Sequence, residues 1–160
     1  MPSKAELLYR AVEAALNKPS HTAPTRTIER PEGLTVHRDV WLPLEVDDLP
    51  ASAIGPASEA AERVESSSFG GGDPHDETVE RRVRFSVECR VQGTHEDLDP
   101  FTTWARAAVQ LDPDVAALVR DVRELGAEYA GGYKEHRLAA AAIVFEAVLE
   151  TLAVDDTVTP

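Results

Sequence analysis

The residues of this chain whose chemistry could be put to use are five histidines, one cysteine, a glycine run, clustered carboxylates and a stripe of arginines. His21, His37, His75, His95 and His136 are scattered, and none has a second ligand at metal-site spacing; only His75, near Asp73 and Asp76, has acidic neighbours. That group reads as a solvated loop. The carboxylates of Asp47-Asp48, of Glu96, Asp97 and Asp99, and of Asp155-Asp156 are of the type that does acid–base work. Each group lies in a polar run at the edge of an element, where such charge caps helices or keeps a surface wet. No serine sits in a Gly-x-Ser-x-Gly elbow, and Cys89 has no nucleophile motif around it. Gly70-Gly71-Gly72 is followed by Asp73-Pro74 instead of Gly-Lys-Ser/Thr, so it has no phosphate-loop chemistry. The expectation is a protein that is not an enzyme, with no catalytic residue, cofactor or metal.

The arginines remain. Arg81, Arg82, Arg84 and Arg90 form a basic stripe, diluted by Glu80 and Glu88 and without interleaved aromatics. In an acidic protein such a stripe suits an acidic protein surface, that of another copy included, better than nucleic acid. Its carrier is the stretch 78–93, TVERRVRFSVECRVQG. Val79, Val83, Phe85, Val87, Cys89 and Val91 occupy odd positions, while Arg82, Arg84, Ser86, Glu88, Arg90 and Gln92 occupy even ones. Period-two alternation of this kind makes a long strand with one oily and one charged face, broken at odd positions only by Arg81. Cys89 falls on the oily side, as a small buried hydrophobe.

The rest of the chain reads as cover and partners for that strand. Ser3 and Glu6 have capping-box spacing, and Leu8, Ala11, Val12, Ala15 and Leu16 recur on one helical face, which predicts an amphipathic helix over 4–17. Residues 18–33, with three prolines, read as an extended loop or arm. Leu34 to Leu44 reads as an edge strand limited by Pro43, which Leu49 to Ile54 could continue; 57–64 suits helix and strand equally. Residues 66–77 read as a mobile hairpin loop. Asp99-Pro100 predicts the start of a second helix, whose face Phe101, Trp104, Ala105, Ala108 and Leu111 is the bulkiest apolar stripe in the chain; Asp112-Pro113 restarts a short turn. Leu125 to Tyr129 and 137–152 read as two closing strands, and 153–160 as a frayed tail. The sum is one α+β domain over 1–160, a mainly antiparallel sheet of about four strands packed on one face by two to three helices.

Composition narrows the function. A net charge of −13 over 160 residues disfavours wrapping nucleic acid or meeting an anionic membrane. A single cysteine permits no intrachain disulfide, and neither a leader-like apolar run nor a membrane-spanning one is present. A product made soluble in the cytoplasm is the expectation.

The element order, together with RRVRFSVECRVQG, DPFTTWARAAV and RLAAAAIVFEAVLETL, resembles the tail terminator (tail completion) proteins of long-tailed phages, the lambda-type minor tail protein U group. Glu150-Thr151 and Asp155-Asp156 stand where that family closes on a tyrosine-threonine strand end and Gly-Asp-Pro. The resemblance implies a structural virion protein at the head-proximal end of the tail. It would form a homo-hexameric ring on the tail tube protein, stop tube polymerisation and face the head–tail connector protein. DNA would pass through its acidic channel without specific binding. The implied contact residues are Trp41, Arg82, Arg84 and Arg90 for neighbouring subunits, with Gly70, Asp73 and Asp76 for tube or connector. A head–tail connector or adaptor is the nearest other reading, and a small α+β hydrolase or transferase with acidic catalytic residues is the reading from another class.

Overall fold

The computed structural model describes residues 2–38, 48–63, 78–131 and 138–152, with the side chains of 56–63 and 152 left aside. The elements in order are α1 (Lys4–Leu16), β1 (Ser20–Ala23), β2 (Arg26–Glu29), β3 (Thr35–Arg38), β4 (Ala51–Arg63), β5 (Thr78–Gln92), α2 (His95–Leu111), α3 (Pro113–Leu118), β6 (Asp121–Gly131) and β7 (Leu138–Leu152). The fold is α+β. Five strands form one sheet in the order β3-β4-β5-β7-β6, and β1 with β2 forms a separate ribbon. All pairings are antiparallel except β3 with β4.

The long strand read from the alternation at 78–93 is β5, the central strand of the sheet, hydrogen-bonded to β4 on one side and to β7 along its whole length on the other. Its odd positions Val83, Phe85, Val87 and Cys89 are fully buried, as are Ile143, Phe145, Ala147 and Leu149 of β7. The Phe85 and Phe145 rings stack at 5.5 Å where the two strands pair. α1 lays Leu8, Val12, Ala15 and Leu16 on this surface, and α2 lays down Leu98, Trp104, Ala105, Ala108 and Val109. Burying each of these large side chains is worth about 1.5–3 kcal/mol, so this layer dominates stability.

Several boundaries differ from expectation. α2 starts at His95 rather than at Asp99-Pro100: Thr94 is the cap, its side chain accepting the Asp97 N–H while the Asp97 carboxylate takes the Thr94 N–H at 2.9 Å. Gly93 ahead of it has φ +145°, and a side chain there would run into the Asp97 carboxylate. Pro100 therefore lies inside the helix and denies a donor to the Glu96 carbonyl; residue 96 is exposed, so water can serve that carbonyl. The span 18–33, expected as an arm, contains the β1–β2 ribbon. Leu49 to Ile54 does not continue the strand at 35–38; β4 lies beside β3 and parallel to it. Residues 57–63 are strand, because 58–63 pair in register with 79–84, with a register shift between Pro56 and Ser58 where proline costs least.

One corner ties the helices to the ribbon. Side chains help to satisfy the last carbonyls of α1: His21 Nε2 donates to Ala15 O at 2.8 Å, beside the Lys18 N–H at 3.2 Å, while Trp104 Nε1 donates to Leu16 O at 2.9 Å and Arg30 Nε to the same Leu16 oxygen at 3.2 Å. Beside them the Asp112 side chain is fully buried, capping α3 through the N–H groups of Asp114 and Val115 and accepting from Lys18 Nζ at 2.5 Å. Burial pushes the Asp112 carboxyl up, but Lys18 and the two backbone donors outweigh it and hold the group below its ordinary 3.8.

The open sheet face as candidate assembly site

The even positions of β5 and β7 point away from the helices, and among the described residues no helix or strand packs on that side. Two turns of register bring charges there from three strands. Glu80 pairs with Glu150, Arg82 with Val148 and Asp121, and Arg84 with Glu146 and Arg123. Glu146 is the centre of this end. Arg123 Nη2 donates to it at 2.8 Å and Arg84 Nε at 3.1 Å, and Arg82 stands 3.8 Å away. Only 3% of its side chain is exposed, against 54% for Arg84 and 60% for Arg123, so Glu146 is covered by arginines and not by core. The hydrogen bonds from Arg123 and Arg84 hold its carboxyl below the ordinary 4.5. Arg120 spans Glu80 and Glu150 at 3.3 and 3.0 Å, and a polar hollow of about 260 Å³ lies between these groups and Asp121.

Toward the other end of the face, a small, neutral row precedes rows that carry charge only at their flanks. Ser86, Val144 and Gly126 form its middle row, then Glu88, Ala142 and Glu128, then Arg90, Ala140 and Ala130. Arg90 holds Glu88 on its own strand at 2.6 Å. Leu49, Leu138, Ala130 and Ala140 line a second hollow of about 280 Å³ beside them. On the neighbouring edge, His37 pairs with Ala53, and its Nε2 is buried with no hydrogen-bond partner among the described residues.

Of the residues singled out from sequence, Arg82, Arg84 and Arg90 are on this face. The first two converge on Glu146; Arg90 lies apart with Glu88. Arg81 does not belong to the stripe: at an odd position, it turns to the helix side and donates to Thr151 Oγ1 at 2.9 Å. Trp41, Gly70, Asp73 and Asp76 lie outside the described residues, as do the loop 66–77, the tail 153–160 and the group around His75. Glu146, Arg120 and Arg123 were missed. A signal for the first was present: Glu146 is a lone acid between Val144 and Val148 on the outward side of a strand, opposite an arginine-rich one.

Chemically this face can recognise charge and shape. The one cysteine is spent in the core, where burial pushes its thiol up to about 11 and leaves a weak Ser52 Oγ contact at 3.7 Å. Asp97 is a cap, and among the described residues no three His, Cys, Asp or Glu side chains gather as metal ligands. No helix among them is long and apolar enough to cross a membrane. No protein-family model matches the chain, and no curated protein is detectably similar to it.

Proposed function

We propose that this chain is a structural virion protein that caps the tail tube of a long-tailed virus as a ring, ends tube polymerisation and offers the head-side connector its docking surface. The observation that carries the reading is the contrast across one sheet. The helix side is packed and dry, while the other side sets Arg84 and Arg123, from two strands, on Glu146 and leaves both more than half exposed. Arginines pre-ordered on a carboxylate have lost much of their rotamer freedom before a partner arrives, which makes them efficient contact residues. A ring needs a second, different patch on each copy, because head-to-tail contacts close a ring only when two unlike surfaces meet. The acidic charge of −13 suits a channel through which DNA slides without adhering.

Carboxylates kept ionised by arginine also favour recognition over acid–base work, since a general acid needs its proton held up to neutral pH. The test is the tail phenotype of particles lacking the protein. Overlong tails are the expected result. Finished tails that fail to join heads would assign the chain to the connector, and tails of normal length on complete particles would overturn the reading.

A further inference from the structure

The register of the open face contains a self-complementary pattern. Across β5, β7 and β6, three successive outward rows read Arg84–Glu146–Arg123, Ser86–Val144–Gly126 and Glu88–Ala142–Glu128. The first row has two arginines and one glutamate, a net positive charge; the third has two glutamates and no cation. The middle row is small and neutral. Glu128 is exposed and makes no ion pair with any described residue, while Arg123 keeps 60% of its side chain exposed around a single bond to Glu146.

We propose that the free protein pairs with a second copy face to face, about a two-fold axis that runs along the middle row. Rotation about that axis turns the copy over and reverses its strand direction while keeping each strand above its equivalent. Arg84 then meets the partner's Glu88, and Arg123 meets the partner's Glu128. Sheets stacked this way lie about 10 Å apart, a gap that an arginine and a glutamate span from opposite sides over a centre of valine, serine and glycine. A two-fold axis parallel to the strands would instead set Arg84 on the partner's Arg123, so charge selects the first arrangement. At the ends Arg82 approaches the partner's Arg90, but each holds a glutamate of its own strand.

Four strands at about 4.8 Å spacing and rows 82 to 90 give on the order of 500 Å² of flat face per copy, and about 1,000 Å² for the pair. That is the lower edge of specific interfaces, so the dimer is weak and salt-sensitive. It covers the arginines that a ring would use, and therefore holds the chain in reserve until a tube end competes for them. The reserve role rests on the ring reading; the pairing does not.

Sedimentation equilibrium of the full chain tests it. At about 0.1 M salt the expected mass is twice the 17.4 kDa of one chain, falling toward a single chain at about 1 M. Glu128→Arg should raise the dissociation constant at least tenfold, and mixing it with Arg123→Glu should restore a mixed dimer that neither forms alone. Val144→Cys, on the axis, should be joined to itself by a short bis-maleimide, which keeps the test independent of whether Arg123→Glu folds beside Glu146. A wild-type monomer at all concentrations, a dimer indifferent to Glu128→Arg, or Val144→Cys chains that fail to cross-link would each overturn the pairing. None of these outcomes touches the ring reading, which tail length decides separately.

Discussion

Asp112 and Glu146 are two nearly water-free carboxylates held below their ordinary pKa, and they are built in opposite ways. Asp112 sits in the corner between α1, the β1–β2 ribbon and α3, and its partners are two backbone N–H groups and Lys18. Glu146 sits on the open face, and its partners are long side chains that mostly face water. The first arrangement fixes the fold, because its donors cannot leave without unwinding a helix start. The second can be remade, because each guanidinium retains N–H groups for a new acceptor. Burial of a charge thus marks a structural anchor in one place and a contact surface in the other, and the partners tell them apart.

The largest effect is expected at Asp112. Asp112→Ala removes the α3 cap and strands Lys18, and should lower stability by about 3 kcal/mol in urea titration while leaving association of the surviving folded chain unchanged. Trp104→Phe, in the same corner, deletes the donor to Leu16 O and should cost about 2 kcal/mol by the same measurement. Glu146→Gln should cost about 1 kcal/mol or less, because its partners are solvated, yet it should shift self-association severalfold by unpinning Arg84 and Arg123. An equal stability loss at 112 and 146 would erase the distinction.

Acid sharpens it further. Both carboxyls titrate lower when folded, so each contributes stability that is complete above its unfolded value, 3.8 for Asp112 and 4.5 for Glu146, and lost as pH falls through the folded value. Thermal unfolding followed from pH 6 to pH 2 should show a steeper acid limb in the wild type than in Asp112→Ala. The smallest effect is expected at Cys89: with its thiol raised to about 11, native protein at pH 8 should resist a thiol reagent that reacts at once in denaturant.

Much of this frame is legible in the sequence because it follows from short-range period. The alternation at 78–93 predicts β5, its buried face and the outward placement of Arg82, Arg84 and Arg90. The same rule favours strand over helix at 138–152 in spite of four consecutive alanines, Ala139 to Ala142. The ribbon at 20–29 has no such signature: its residues are mostly polar, and it is ordered by His21 and Arg30 reaching the end of α1, a long-range effect. The start of α2 is misread because Asp99-Pro100 imitates a cap, whereas Gly93, Thr94 and Asp97 supply the real one. The Glu146 cluster needs the register of three strands at once, and Arg123 lies just ahead of the stretch that alternates visibly.

The most direct test of the account sets the two sides of the sheet against each other. Val144→Glu places a charge at the centre of the open face, and Ala117→Glu places one on the exposed side of α3. When each variant replaces the wild type during tail assembly, Val144→Glu should give overlong tails and Ala117→Glu tails of normal length, both proteins melting like the wild type. Normal tails with Val144→Glu, or lost length control with Ala117→Glu alone, would contradict the account.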